Sequence, residues 1–227
     1  NVYEFFEDNG TAYIVMEFLE GVNLSDYIKQ IDGKIDRDFS LKIINDVGTA
    51  LITMHKKQTY HLDVAPDNIY ICADKDLKIK LLDFGAAKLP GNNGKVVDVI
   101  LKPGYSPYEQ YDSANPVGEW NDIYALGATL YMLLTGEKVD EATNRHTYDT
   151  VRAPHDIDPS IPENLSNAVM KAIAVERHLR FKSVSDFLNA INGEKKVLSL
   201  KKEKKKRIIL RMTGIIASLL CLCAVGL

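Results

Sequence analysis

The chain of 227 residues is long enough for one large domain or two small ones, and 46% hydrophobic against 26% charged residues is the balance of a folded protein with a sizeable core. A formal net charge of −3 argues against a dedicated nucleic-acid binder, and three cysteines, Cys72, Cys221 and Cys223, make neither a disulfide framework nor a good metal site. A reducing compartment suits the folded part. The mean charge hides an asymmetry: Lys195, Lys196, Lys201, Lys202, Lys204, Lys205, Lys206, Arg207 and Arg211 crowd one stretch, so the remainder is acidic.

In chain order, residues 12–16 (AYIVM) form a short run of strand formers entered through a turn at Asp8-Asn9-Gly10, with residues 2–6 as hairpin partner. After Gly21 the pattern turns helical. Leu41, Ile44, Val47 or Gly48, Leu51 and Met54 mark one apolar face of a long helix. Residues 69–72 and 78–82 are expected strands around Asp74-Lys75-Asp76. The apolar segment 122–134, closed by Gly136, is too long for a strand and reads as a buried helix with a glycine C-cap. Ser183-x-x-Asp186 opens the last helix, and the domain is expected to end near Gly193.

Beyond it, residues 194–211 read as a basic juxtamembrane segment and residues 212–227, which carry no charge, as a truncated transmembrane helix. The preceding cations match the positive-inside pattern, which puts the chain at the cell membrane as a single-pass protein with its folded domain in the cytoplasm. The chain opens on Asn1 inside strand-like sequence, and both ends are expected to be truncated.

The most informative residues are the octet His61-Leu62-Asp63-Val64-Ala65-Pro66-Asp67-Asn68, lying between the long helix and the strand pair. Asp83-Phe84-Gly85 begins 15 residues after Asn68, directly after the second strand. Alone, each Asp or Asn reads as a turn or cap residue; the ordered set at this spacing is specific. With these two motifs the chain resembles the eukaryotic-like Ser/Thr protein kinases of bacteria, across residues 2–191. Gly104-Tyr105-Ser106-Pro107-Tyr108-Glu109 is similar to the end of that family's activation segment, with Glu109 at the A-P-E glutamate. Asp122-Ile123-Tyr124-Ala125-Leu126-Gly127 is similar to its D-x-W-x-x-G helix, and Arg180 to its late arginine.

The resemblance implies an α+β protein-kinase-like fold over residues 1–193: the end of an N-lobe, a hinge and a mainly helical C-lobe. It implies ATP and Mg²⁺ (or Mn²⁺) as cofactors, a protein substrate, and no nucleic-acid partner. Asp63 would accept the proton of the substrate hydroxyl, while Asn68 and Asp83 would supply oxygen ligands to the metal. The backbones of Glu17 and Leu19 in the hinge would bond adenine, with Tyr70 and Leu82 on the pocket floor. Asp122 would support the catalytic-loop backbone. Glu109 and Arg180 would form a buried ion pair whose breakage costs about 3–5 kcal/mol.

Three departures qualify the resemblance. Leu62 replaces the arginine that reads an activation-segment phosphate, and residues 83–104 contain no Ser, Thr or Tyr, which leaves Tyr105 and Ser106 as the nearest hydroxyls. Ala65 stands where the family places a lysine on the transferring phosphate. Lys102 occupies a frequent threonine position, and it is expected to supply that cation from the other side. Finally, no G-x-G-x-x-G loop, strand lysine or partner helix glutamate occurs in these 227 residues, so they are expected upstream and this stretch alone is expected to be inactive. The expected function is therefore Ser/Thr phosphorylation by a membrane-anchored signalling kinase. Its alternative is a pseudokinase scaffold, to which Leu62 and Ala65 point; a small-molecule kinase fits the region 105–109 less well.

Overall fold

A computed structural model describes residues 2–31, 34–83, 101–112, 114–203 and 205–206. Phe84, Gly85 and the charge-free run 212–227 lie outside them, as do Cys221 and Cys223. Among the described residues, no helix is long and apolar enough to cross a membrane.

The chain opens on an antiparallel hairpin of β1 (Val2–Asp8) and β2 (Thr11–Met16), as expected, with Asn9 and Gly10 at positive φ in its turn. Every residue of both strands is exposed, including Phe5, Ile14 and Met16, so this two-stranded sheet buries almost none of its own apolar surface. The segment after it departs from expectation in part: the helical pattern expected beyond Gly21 does not begin at once, and residues 21–23 are extended. They form β3 (Gly21–Asn23), which pairs with β4 (Ile69–Cys72), and β4 pairs in turn with β5 (Ile79–Leu81), both antiparallel. Pairing to a strand almost fifty residues away outweighs the local pattern, a common outcome for short strands.

Helices make up the rest. α1 (Leu24–Gln30) is capped by Asn23, whose Oδ1 accepts from Asp26 N at 2.8 Å. α2 (Arg37–His55) takes its cap from Asp36 and buries Ile43, Ile44, Val47, Gly48 and Leu51; of the expected face, Leu41 and Met54 are only partly buried. α3 (Glu119–Thr135) is the axis of the domain. Thirteen of its seventeen residues are buried, which explains why its sequence shows no polar side, and Gly136 closes it at φ 74° in the left-handed region. Around it come α4 (Ala142–Thr147), α5 (Pro154–Ile157), α6 (Glu163–Ala172) and α7 (Val184–Ile191). The Ser183 cap is present: its Oγ accepts from Asp186 N at 3.1 Å.

Packing runs on past Gly193, the expected end of the domain. Val197 is buried, and its N–H donates to Asn164 Oδ1 on α6 at 2.8 Å. Further on, Glu203 pairs with Lys171 at 2.7 Å. The first part of the basic segment is thus a strap lying on α6, because carboxylate and amide groups interleaved with its lysines find partners there.

Candidate active site

The loop from Tyr60 to Asn68 sits on the buried end of α3. Asp122, fully buried, accepts from two consecutive backbone amides, Leu62 N at 2.8 Å and His61 N at 2.9 Å, and contacts His55 Nε2 at 2.7 Å. A carboxylate taking several N–H bonds in a dry interior is both satisfied and a strong anchor. Holding the loop this way places Leu62 at φ 64°, a left-handed conformation that costs a non-glycine residue roughly 1 kcal/mol or more. Gln110 Nε2 caps the strained peptide by donating to Leu62 O at 2.7 Å.

His61 is fully buried and packs as a neutral imidazole. Its Nε2 donates to Leu82 O at 3.1 Å and its Nδ1 accepts from Asp63 N at 3.3 Å. Burial pushes its pKa below the ordinary histidine value, against the opposing pull of the Asp122 carboxylate. One ring therefore joins the expected catalytic aspartate to the strand end that precedes Asp83.

Asp63, Asn68 and Lys102 come together. Asn68 Nδ2 donates to Asp63 Oδ2 at 2.7 Å and to Asp63 O at 2.8 Å, which leaves its amide oxygen for another ligand. Asn68 O accepts from Leu82 N at 2.8 Å, so the next residue, Asp83, lies beside the same loop at φ 60°. Lys102 Nζ lies 3.0 Å from Asp63 Oδ1 and 2.8 Å from Asp67 Oδ2. Its backbone is fixed by buried Ser106, whose Oγ accepts from Lys102 N at 2.9 Å.

The groups expected to hold a divalent cation, the Asn68 amide and the Asp83 carboxylate, both offer hard oxygens. Few protein ligands are typical where phosphate oxygens and water complete a Mg²⁺ shell, so the residues fit that ion. Among the described residues there is no cluster of three or more His, Cys, Asp or Glu of the kind an all-protein metal cage needs.

At the expected hinge, Leu19 O accepts from the Tyr70 hydroxyl at 3.0 Å, and the Glu17 carboxylate pairs with Lys80 of β5 at 3.0 Å. That bond raises the Lys80 pKa. Side chains of Tyr70 and Lys80 thus fasten residues 17–19 to the β3–β4–β5 sheet. Leu82, half-buried, directly follows β5, which ends one residue short of the expected strand 78–82.

Away from the loop, the expected Glu109–Arg180 pair is present and bidentate, at 2.6 Å and 3.1 Å. Arg180 also donates to Ala174 O, Trp120 O and Val175 O, which engages all five of its N–H groups. Reading the sequence missed His55, Gln110 and the role of Asp67. Gln110 directly follows the recognised Glu109, and His55 sits in the last turn of α2, but no spacing marks either as a partner of the loop.

Residues 1–208 match the family model of the protein kinase domain, and the chain belongs to that family. It is 29% identical over 203 residues to a probable serine/threonine-protein kinase of Clostridium acetobutylicum, an alignment covering 86% of this chain and 30% of that protein. With the serine/threonine-protein kinase PknA of a Nostoc species it shares 32% identity, over 84% of this chain and 34% of the relative. The chain therefore spans about a third of the length of these relatives. Among solved structures, the apo form of PpkA-294 matches at a TM-score of 0.69 and 28% identity, covering 84% of this chain and 66% of that one.

Proposed function

We propose that the chain carries the phosphotransfer centre of a protein serine/threonine kinase that uses ATP with Mg²⁺. One observation carries the reading: Asp63 stands between Asn68 at 2.7 Å and Lys102 at 3.0 Å on a loop anchored to the core through Asp122. In this reading a Ser or Thr hydroxyl of the substrate protein gives its proton to the Asp63 carboxylate. Its oxygen bonds to the γ-phosphorus as the bond to the bridging oxygen of the leaving ADP breaks. Asn68 and Asp83 would hold Mg²⁺, which would supply positive charge against the phosphate oxygens. Lys102 supplies the cation that Ala65 does not. The backbones of Glu17 and Leu19 face adenine; one lone pair of Leu19 O is already taken by Tyr70.

The test is transfer of labelled phosphate from ATP to protein by the complete protein, with Asp63→Asn as control. Transfer abolished by that substitution supports the reading. A protein that binds Mg·ATP but transfers nothing is instead the scaffold that Leu62 and Ala65 suggest.

We propose further that residues 212–227 anchor the protein in a cell membrane with the kinase domain in the cytoplasm, supported by their lack of charge and the cations just before them. Release of the protein from membranes by alkaline carbonate alone would overturn this.

A further inference from the structure

A groove of about 410 Å³ opens beside Asp67 and Lys102, with Lys29, Tyr105, Met132 and Lys138 along its walls. Of the three lysines that line it among the described residues, two are already paired. Lys29 holds Asp26 at 2.7 Å, and Lys102 bridges Asp63 and Asp67. Lys138 has no carboxylate within ion-pair distance among the described residues. Its position is nonetheless defined. The stem lies across Gly104, where a Cβ would come within 2.7 Å of Lys138 Cε, and the ammonium sits 5.3 Å from the centre of the Tyr105 ring. Gly104 adopts φ 84°, so the residue that leaves room for the lysine is also the one its backbone requires.

A cation stacked on a ring and laid over a bare peptide has lost much of its rotamer freedom before any ligand arrives, so pairing it costs less. Among the described residues, the only carboxylate lining the groove, Asp67, is occupied by Lys102, and Met132 offers a basic ligand nothing. We propose that Lys138 sets substrate specificity by pairing with an acidic side chain, Asp or Glu, close to the acceptor hydroxyl. The inference rests on the phosphotransfer reading, since Asp63 is what marks where that hydroxyl sits.

The experiment compares peptides with one Ser or Thr acceptor flanked by Glu, Ala or Lys, using the complete kinase with Mg·ATP. The Glu series is expected to exceed the Ala series by about tenfold in kcat/KM, mainly through KM, with the Lys series lowest. Lys138→Glu should reverse that order. Lys138→Met, which keeps the stem over Gly104, should level it. Equal rates for Glu and Ala peptides, or an order unmoved by Lys138→Glu, overturn the inference while leaving the kinase reading intact. If no peptide is phosphorylated, the kinase reading fails separately. Anisotropy of labelled Glu and Ala peptides on wild type and Lys138→Glu then decides the Lys138 assignment, and equal binding overturns it.

Discussion

Lys102 Nζ lies 3.0 Å from Asp63 Oδ1, although 38 residues of chain separate them. With Ala65 in the loop, the cation beside Asp63 is Lys102, and in the proposed reading it takes the place of the lysine the family puts two residues beyond that aspartate. Side-chain exposure of Lys102 is 22%, so its attraction for phosphate is only partly screened. Lys102→Met is expected to lower kcat/KM by roughly ten- to a hundredfold, chiefly in kcat. Adding Ala65→Lys should recover part of the loss, because it restores a cation to the same space. Steady-state kinetics on the two variants checks this, and unaltered kcat/KM in Lys102→Met would remove Lys102 from the site.

Arg180 is 2% exposed and Glu109 is 7% exposed, so neither charge has water to fall back on. Arg180→Ala leaves Glu109 buried without a partner and strands the three carbonyl oxygens of Trp120, Ala174 and Val175. The expected cost is about 3–5 kcal/mol. Arg180→Lys should cost less, since an ammonium keeps the charge but has three donors where five are used. Thermal or urea denaturation reads both, and an unchanged midpoint in Arg180→Ala would show the pair to be energetically idle.

Much of this was legible in sequence because it is local or motif-bound. The α2 and α3 helices announce themselves by apolar period and length, and Asp63, Asn68 and Asp83 by fixed spacing around a strand pair. Glu109 and Arg180 came only through the family resemblance, as nothing in their own neighbourhoods links them. What stayed hidden was set by long-range pairing. Residues 21–23 become a strand because β4 lies beside them, and His55 acquires its role because α3 brings Asp122 to the end of α2. The strap beyond Gly193 was masked by its lysines, which read as a basic juxtamembrane segment, while its partners Asn164, Asn167 and Lys171 lie on α6.

That strap makes a prediction of its own. Asn164 binds it from both sides, accepting from Val197 N at 2.8 Å and donating to Lys195 O at 3.1 Å, and Asn167 donates to Val197 O at 3.3 Å. Asn164→Ala leaves the Val197 amide without its partner and frees the Val197 side chain to leave its site. A loss of about 1–3 kcal/mol is expected, with faster hydrogen exchange across residues 194–203. If exchange there is already fast in the wild type and unchanged in the variant, the strap is not held by Asn164.

His61 gives the domain a pH dependence of fixed sign. Burial lowers its pKa in the folded chain, while in the unfolded chain it titrates near the ordinary value of 6.5. Below that value the unfolded chain takes a proton the folded chain refuses, so unfolding is increasingly favoured as pH falls, until the depressed folded pKa is passed. Above about pH 6.5 the contribution is fully present and flat. Forced protonation also turns Nδ1 into a donor facing Asp63 N, which breaks the bond at 3.3 Å that seats the aspartate. The expected result is a stability decline that sets in as pH falls below about 6.5 and continues until the depressed folded value is reached. His61→Asn, already destabilised at neutral pH, should show a shallower decline over the same window. Urea midpoints of the two proteins measured across that range provide the check, and parallel curves would mean that another group carries the acid sensitivity.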